Sequence, residues 1–154
     1  MNLKATLSPE DLARACAAAM WKDDDASSGL GMKIADIGPG WATLTMDVAP
    51  HMVNGQRIAH GGFIFALADS AFAFACNSHN EKAVAAQGNI TFIRPARLGN
   101  RLVATAREIS RSGRSGIYDV RVTVGEEVIA EFRGHSRTIG GTWLRNGEAD
   151  ARKK

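Results

Sequence analysis

Cysteine is scarce in this chain: Cys16 and Cys76 are the only two in 154 residues. Both stand in apolar, helix-like surroundings, so no disulfide scaffold is expected, and Cys76 reads as a small packed hydrophobe. No cluster of His, Cys and Asp has ligand spacing, so no metal is expected. No Gly-x-Ser-x-Gly segment occurs, which removes the nucleophile elbow of one large hydrolase class. No apolar run reaches the roughly 20 residues of a membrane span. The N-terminus lacks the basic-then-apolar pattern of a signal peptide. A cytoplasmic protein with no membrane partner is therefore expected. Charge of one sign is also in short supply. The net charge is +3, and the basic residues are dispersed except for Arg152, Lys153 and Lys154. That gives little ground for a nucleic-acid partner and suits an anionic ligand better than a cationic one.

What is present is an ordinary globular composition, 45% apolar and 23% charged, long enough for one domain with a core. Ser8-Pro9-Glu10-Asp11 has a helix cap, a proline at the first helical position and acids in the first turn, so a helix is predicted to about Trp21. The polar stretch from Trp21 to Gly29 ends it. Met32 to Ile37 and Trp41 to Val48 read as strands joined at Gly38-Pro39-Gly40. Residues 49–61 read as a loop. An oily helix follows from about Gly62 to Asn77. Four more strands are predicted over Val84 to Ile93, Arg101 to Ile109, Ile117 to Val124 and Val128 to Arg137, the last two a hairpin across Gly125.

The oily helix poses the central problem. Between Phe63 and Cys76 only Asp69 and Ser70 are polar. A helix apolar all round must be covered all round, and one antiparallel sheet covers only part of it. A curved sheet wrapped round the helix, with a second copy closing the open side, is the simplest α+β solution. Asp69 has only Phe65, Ala66, Phe72 and Ala73 at helical neighbour positions, none able to pair with a carboxylate. A structural acid bonded to a neighbouring strand or to Ser70 is one reading. The other starts from His60-Gly61-Gly62 at the head of the same helix, where free N–H groups favour negative charge and glycine admits a ligand. Gly61 and Asp69 are eight residues apart, ~12 Å along the axis at ~1.5 Å per residue. An antiparallel partner helix would close that gap, so the dimer required by packing would also complete two sites by symmetry.

The segments Asn54-Gly55, His60-Gly61-Gly62, Ala66 to Asn77 around Asp69, Phe92-Ile93-Arg94-Pro95, Gly116-Ile117-Tyr118-Asp119 and Phe132-Arg133-Gly134 carry a resemblance. Over roughly residues 10 to 141, in order, the chain resembles the hotdog-fold acyl-CoA thioesterases, in particular the phenylacetic acid degradation (PaaI-type) family. The resemblance implies a hotdog fold over residues 30–141, an extra N-terminal helix and connecting loop over 1–29, and a flexible tail over 142–154. It implies that Asp69 is the catalytic carboxylate, as nucleophile or as general base on water. The Gly61 N–H would polarise the thioester carbonyl, Asn54 would hold the water or the acid, and His60 would orient the loop or carbonyl. His60 could also be a loop histidine bonding to backbone, and Asn54 a turn residue.

Substrate contacts are expected from Gly62 and Ser70, with Ser70 where close relatives carry threonine. The coenzyme A phosphates call for a basic rim, for which Arg94, Arg111, Arg114 and Arg137 are the candidates. Phe63, Phe65, Phe72 and Phe74 are candidates to wall an aromatic-sized acyl pocket. His51, His79 and His135 read as structural. The expected activity is hydrolysis of an acyl-CoA, phenylacetyl-CoA or a ring-hydroxylated form of it, with no cofactor beyond the coenzyme A of the substrate. The expected assembly is a homodimer with shared sites that pairs into a tetramer. Two rival functions stand beside it: a hotdog hydratase or dehydratase using His60, and a non-catalytic acyl-CoA-binding module.

Overall fold

The computed structural model describes residues 7–145. Helix α1 (Pro9–Trp21) begins as its sequence prescribes, with the Ser8 hydroxyl accepting the Asp11 N–H at 3.1 Å. A short helix α2 (Asp25–Gly29), read from sequence as a polar turn, follows because Asp24 caps it, accepting from the Ser27 N–H. Strands β1 (Lys33–Gly38) and β2 (Trp41–Asp47) form the first hairpin, and a 3-10 turn (Pro50–Met52) opens the loop before the central helix. That helix, α3 (Gly61–Cys76), is capped by His60 and carries the oily segment. Strands β3 (Ala83–Phe92), β4 (Arg101–Ser112), β5 (Ser115–Val124) and β6 (Glu127–Thr138) complete the chain. Strands β4 and β5 run further than predicted. The segment expected as a loop over residues 110–116 is the paired end of a hairpin turned at Gly113 and Arg114, with a register shift between Glu108 and Ser110.

All six strands join one antiparallel sheet in the order β1-β2-β4-β5-β6-β3. Register shifts also interrupt β1, β3 and β6, the last by an extra residue at Ile129. Such bulges bend strands, and the bend lets the sheet curl round α3. Period-2 burial puts Ala42, Leu44 and Met46 of β2, Leu102, Ala104 and Ala106 of β4, and Val120 and Val122 of β5 on the inner face. They meet Ile64, Leu67, Ala68, Ala71, Phe72 and Phe74 of α3. The helix lies close because Gly134 has no side chain: a Cβ there would stand 2.9 Å from the Phe72 ring. Opposite it in the sheet, Gly88 makes the same room for Phe65 and Phe132.

The C-terminal end of α3 is tied down by two buried asparagines. Asn77 donates to the Ala73 and Ala83 carbonyls and accepts from the Ala83 N–H and the Trp143 indole. Asn80 accepts from the Trp143 and Leu144 N–H groups. Leu144 then packs on Leu12 and Cys16 of α1. The tail expected from residue 142 thus begins as a folded clasp; residues 146–154, including the basic Arg152-Lys153-Lys154, lie outside the described residues.

Two surfaces remain uncovered. On α3, Gly62 is exposed and Ala66, Asp69 and Ala73 are half-buried; steps of four, three and four place them on one stripe. Beside it runs the edge strand β3, which pairs only with β6 and leaves Val84, Phe92 and the following Ile93 about half exposed. The helix apolar on every side is therefore covered on every side but one.

Candidate active site

The site is built around the head of α3. The loop before it is shaped by Asn54, whose Oδ1 accepts from the Gln56 and Ile58 N–H groups at 3.0 and 3.4 Å. This Asx turn fixes the amide orientation and leaves the Asn54 Nδ2 with no partner among the described residues. The turn and the catalytic expectations for Asn54 thus fall on different atoms of one side chain. His60 ends the loop. Its Nδ1 accepts from the Gly62 N–H at 2.9 Å, and its carbonyl accepts from the Phe63 N–H at 3.0 Å. An Nδ1 that accepts leaves the proton on Nε2, so His60 stands as a donor there. The Gly62 N–H is consequently occupied by the cap. The Gly61 N–H is not: it has no partner among the described residues.

That free donor opens on a groove of about 480 Å³ lined by Gly61 and Ile64 of α3, Ile58 and Ala59 of the loop, Asn54, and the Phe92-Ile93-Arg94-Pro95 segment. Glycine at its floor leaves room for the Phe92 ring: a Cβ at Gly61 would sit 2.7 Å from it, and that half-exposed ring would have to move aside. The groove is mostly apolar with a few convergent polar groups, the composition of small-molecule sites.

Asp69 lies elsewhere on the helix. Its carboxylate has no hydrogen-bond or ion-pair partner among the described residues, and Ser70 does not serve it. Instead the Ser70 hydroxyl pairs with that of Ser27 at 2.8 Å, which in turn donates to Asp24 at 2.7 Å, anchoring α2 to α3. Burial pushes the Asp69 carboxyl above its ordinary value of 3.8. A half-desolvated carboxylate without donors is a strengthened base and nucleophile. Neither thiol competes for that role. Burial pushes Cys16 up to about 11 and Cys76 up to about 12.

The basic rim expected from sequence does not gather in one place. Arg94 lines the groove. Arg137 pairs with Val84 in register while Phe92 is at the other end of β3, eight residues or ~26 Å along the strand at ~3.3 Å per residue. Arg111 and Arg114 lie at that same far end, beside Gly116 and Ser115. Arg111 approaches Glu108 at 3.8 Å, and Arg114 donates to the Thr138 carbonyl. Two arginines that the sequence reading passed over, Arg57 and Arg97, line a second hollow of about 430 Å³ that shares Asn54 with the first. The aromatic candidates divide as well. Phe72 and Phe74 are core, each 1% exposed, and Phe65 stacks edge-on against Phe132. The exposed ring at the groove is Phe92.

His79, read as structural, meets Glu108 at 3.0 Å, and Tyr118 donates to the same carboxylate oxygen at 2.7 Å. Burial alone would raise the Glu108 carboxyl, yet the Tyr118 and His79 bonds hold it below its ordinary value. This is a satisfied cluster at the far end of α3. His51 stacks edge-on against Phe63, and His135 sits within β6. No group of three potential metal ligands occurs among the described residues, and no described helix is long and apolar enough to cross a membrane.

Known proteins share this fold and much of this sequence. Residues 56–131 match the family model described as the thioesterase superfamily. The acyl-coenzyme A thioesterase PaaI of Escherichia coli K12 is 42% identical over 125 residues, covering 80% of this chain and 89% of the relative. The structure of the E. coli PaaI protein from the phenylacetic acid degradation operon superposes with a TM-score of 0.86 at 40% identity, over 88% of this chain and 99% of that one. A mutant of the phenylacetic acid degradation protein PaaI from Thermus thermophilus does so with a TM-score of 0.72 at 35% identity, over 73% and 97%. The wrapped helix, the glycine-headed groove and this breadth of identity lead to one assignment: the chain belongs to the thioesterase superfamily, on its hotdog-fold, PaaI-type branch.

Proposed function

We propose that this protein hydrolyses acyl-CoA thioesters, with an arylacetyl group such as phenylacetyl or ring-hydroxylated phenylacetyl as the acyl part. The observation that carries the reading is a pair of unpartnered groups on one helix: the Gly61 N–H at its head and the Asp69 carboxylate on its uncovered stripe. A thioester carbonyl seated in the groove accepts from the Gly61 N–H, which stabilises the developing oxyanion. Asp69 takes the proton of a water that attacks the carbonyl carbon, or attacks that carbon itself. The tetrahedral intermediate then collapses, the carbon–sulfur bond breaks, and the sulfur leaves as coenzyme A. In the general-base route the sulfur takes the proton that Asp69 had accepted; in the direct route the acyl-aspartyl anhydride left behind is hydrolysed by water, which frees the acid and restores Asp69. The Asn54 Nδ2 is the donor placed to hold the water or the acid. Phe92 and Ile93 supply an apolar wall for the acyl group.

Asp69 and Gly61 of one chain are too far apart along the axis to act on one carbonyl. A homodimer with α3 helices antiparallel supplies Asp69 from one copy to Gly61 of the other. The open stripe of α3 and the unpaired edge of β3 are the surfaces such a copy would cover. Pairing of two dimers into a tetramer extends the same reading. The hydratase alternative needs a histidine base, and the Nδ1 of His60 is committed to the helix cap while Nε2 bears the proton.

The test is thiol release from a panel of CoA thioesters by wild type and Asp69→Asn. Release by wild type and its loss in the variant are expected. Water addition without thiol release, or binding without turnover, would overturn the hydrolase reading in favour of a rival. Mixing Asp69→Ala chains with Gly61→Val chains tests the sharing. Mixed dimers should regain one site in two, and no recovery would sink the antiparallel dimer.

A further inference from the structure

The arginines of the described residues are unequally engaged. Arg14, Arg101, Arg111, Arg121 and Arg133 each have a carboxylate partner. The side chains of Arg57, Arg94 and Arg97 have no partner among the described residues, and all three stand at the head of α3. No carboxylate lines either hollow there. The hollows on the outer face of the sheet differ. Arg107 is unpaired too, but Glu108 shares one of its hollows, and Asp119 and Glu131 share the other. Arg137, also without a side-chain partner among the described residues, lies at the far end of β3 from the groove.

Arg57 adds a second, independent sign. Its φ is +62°, and the only other non-glycine residue so placed among the described residues is Asn80, also at +62°. Asn tolerates this region well, and Asn80 uses its side chain there to hold the C-terminal clasp. Arginine does not favour it, and a turn alone would be better served by Gly or Asn. The Asn54 turn holds Arg57 in place, with the Arg57 N–H donating to the Asn54 carbonyl at 2.9 Å. The strained residue therefore presents a guanidinium with no intramolecular use. Arg97 is fixed across the hollow by its own backbone N–H, which donates to the Asn100 side chain at 2.8 Å.

We infer that Arg57 and Arg97 form the subsite for the nucleotide phosphates of the CoA ester, an inference that rests on the thioesterase reading. Asn54 joins the two hollows, so a ligand whose thioester meets Gly61 continues over Asn54 and brings its anionic end to the second hollow. Two guanidiniums without competing acids select phosphate oxygens by charge and by forked hydrogen bonding. This places recognition of the CoA end on the loop before α3, in the same chain that supplies the oxyanion donor, and away from Arg111, Arg114 and Arg137.

Calorimetry with coenzyme A and with pantetheine, which lacks the nucleotide, tests the inference without requiring turnover. Arg57→Glu and Arg97→Glu should each weaken CoA binding by about tenfold or more relative to pantetheine, and added salt should narrow the wild-type preference for CoA. The same reversal at Arg107, on the outer face, should leave the preference intact. Equal weakening of both ligands, an undiminished preference in both variants, or wild-type protein that does not prefer CoA would each overturn the subsite. Thiol release from any CoA ester is followed separately. Its absence, with the CoA preference still lost in the variants, would remove the hydrolase reading and leave the subsite standing.

Discussion

The two ends of α3 are built on opposite principles. At the C-terminal end the buried and half-buried polar side chains have partners, and Arg137 alone of the groups placed there lacks one among the described residues. Asn77, Ser78, Asn80, His79, Glu108 and Tyr118 bond to one another, to backbone or to Trp143. At the N-terminal end the Gly61 N–H, the Asn54 Nδ2 and three guanidiniums have none among the described residues. Satisfied polar groups rigidify a fold; unsatisfied ones at a groove are available to a ligand. The lesson is a division of labour along one helix, where one end holds the structure and the other keeps its donors open, as the proposed function requires.

Asp69, between the two ends, gives the sharpest test of that division. Asp69→Asn should lower kcat by about a thousandfold without lowering the thermal midpoint at pH 7. Its folded-state carboxyl is raised above 3.8, so the folded state holds the proton more tightly than the unfolded chain. The resulting penalty on folding is absent below about pH 4, grows as pH rises through the raised value, and is complete above it. Any stability advantage of the Asn variant should follow that window and vanish in acid. Wild-type kcat/KM should rise with pH through a midpoint above 3.8. A thermal midpoint that drops sharply at pH 7 would mark Asp69 as a structural acid.

Asn77→Ala attacks the other end. It strands the Ala83 N–H and carbonyl and the Trp143 indole, each worth about 1–3 kcal/mol when buried unpaired. A loss of about 3 kcal/mol in urea unfolding is expected, with kcat of the folded protein near that of wild type. Asn54→Asp is finer still. It keeps the oxygen that accepts from Gln56 and Ile58 and replaces the free donor with a second, charged acceptor, so activity should fall about tenfold while the unfolding midpoint barely moves. Smallest of all is His60, whose side chain, like the oxygen of Asn54, has an internal duty at the open end. His60→Ala should cost about 1 kcal/mol through the lost cap, and His60→Asn, itself a good cap, should restore it. Restored stability without restored activity would add a catalytic role to the capping one.

Much of this was legible in the sequence, because local rules governed it. The cap at Ser8, the alternation in β2, the oily helix and its solitary acid are all patterns within a few residues. The helix apolar on every face also announced that one sheet would not suffice. What escaped depended on partners distant in the chain. Trp143 meets Asn77 across 66 residues, so the tail could not be seen as a clasp. Helix α2 is five residues long and owes its existence to the Asp24 cap and to Ser70, 43 residues from Ser27. Which arginines are free could not be read either. Arg111 looked as available as Arg94 until Glu108 and the bulged β4–β5 hairpin brought a carboxylate to it. Arg57 carried no sequence signal beyond a position in a turn, because its backbone angle is a property of the folded loop.

The order of the strands has a consequence for synthesis. Strand β3 leaves the ribosome before β4, β5 and β6, yet its only neighbour in the sheet is β6, the last to be made. Until residue 127 onward has emerged, β3 has nothing to zip against and the greasy helix ahead of it is half bare. Premature termination anywhere upstream of the final strand therefore yields no partial enzyme. It yields a sticky fragment, a substrate for chaperones and proteases, with the solitary acid of α3 on the face that even the finished sheet leaves open.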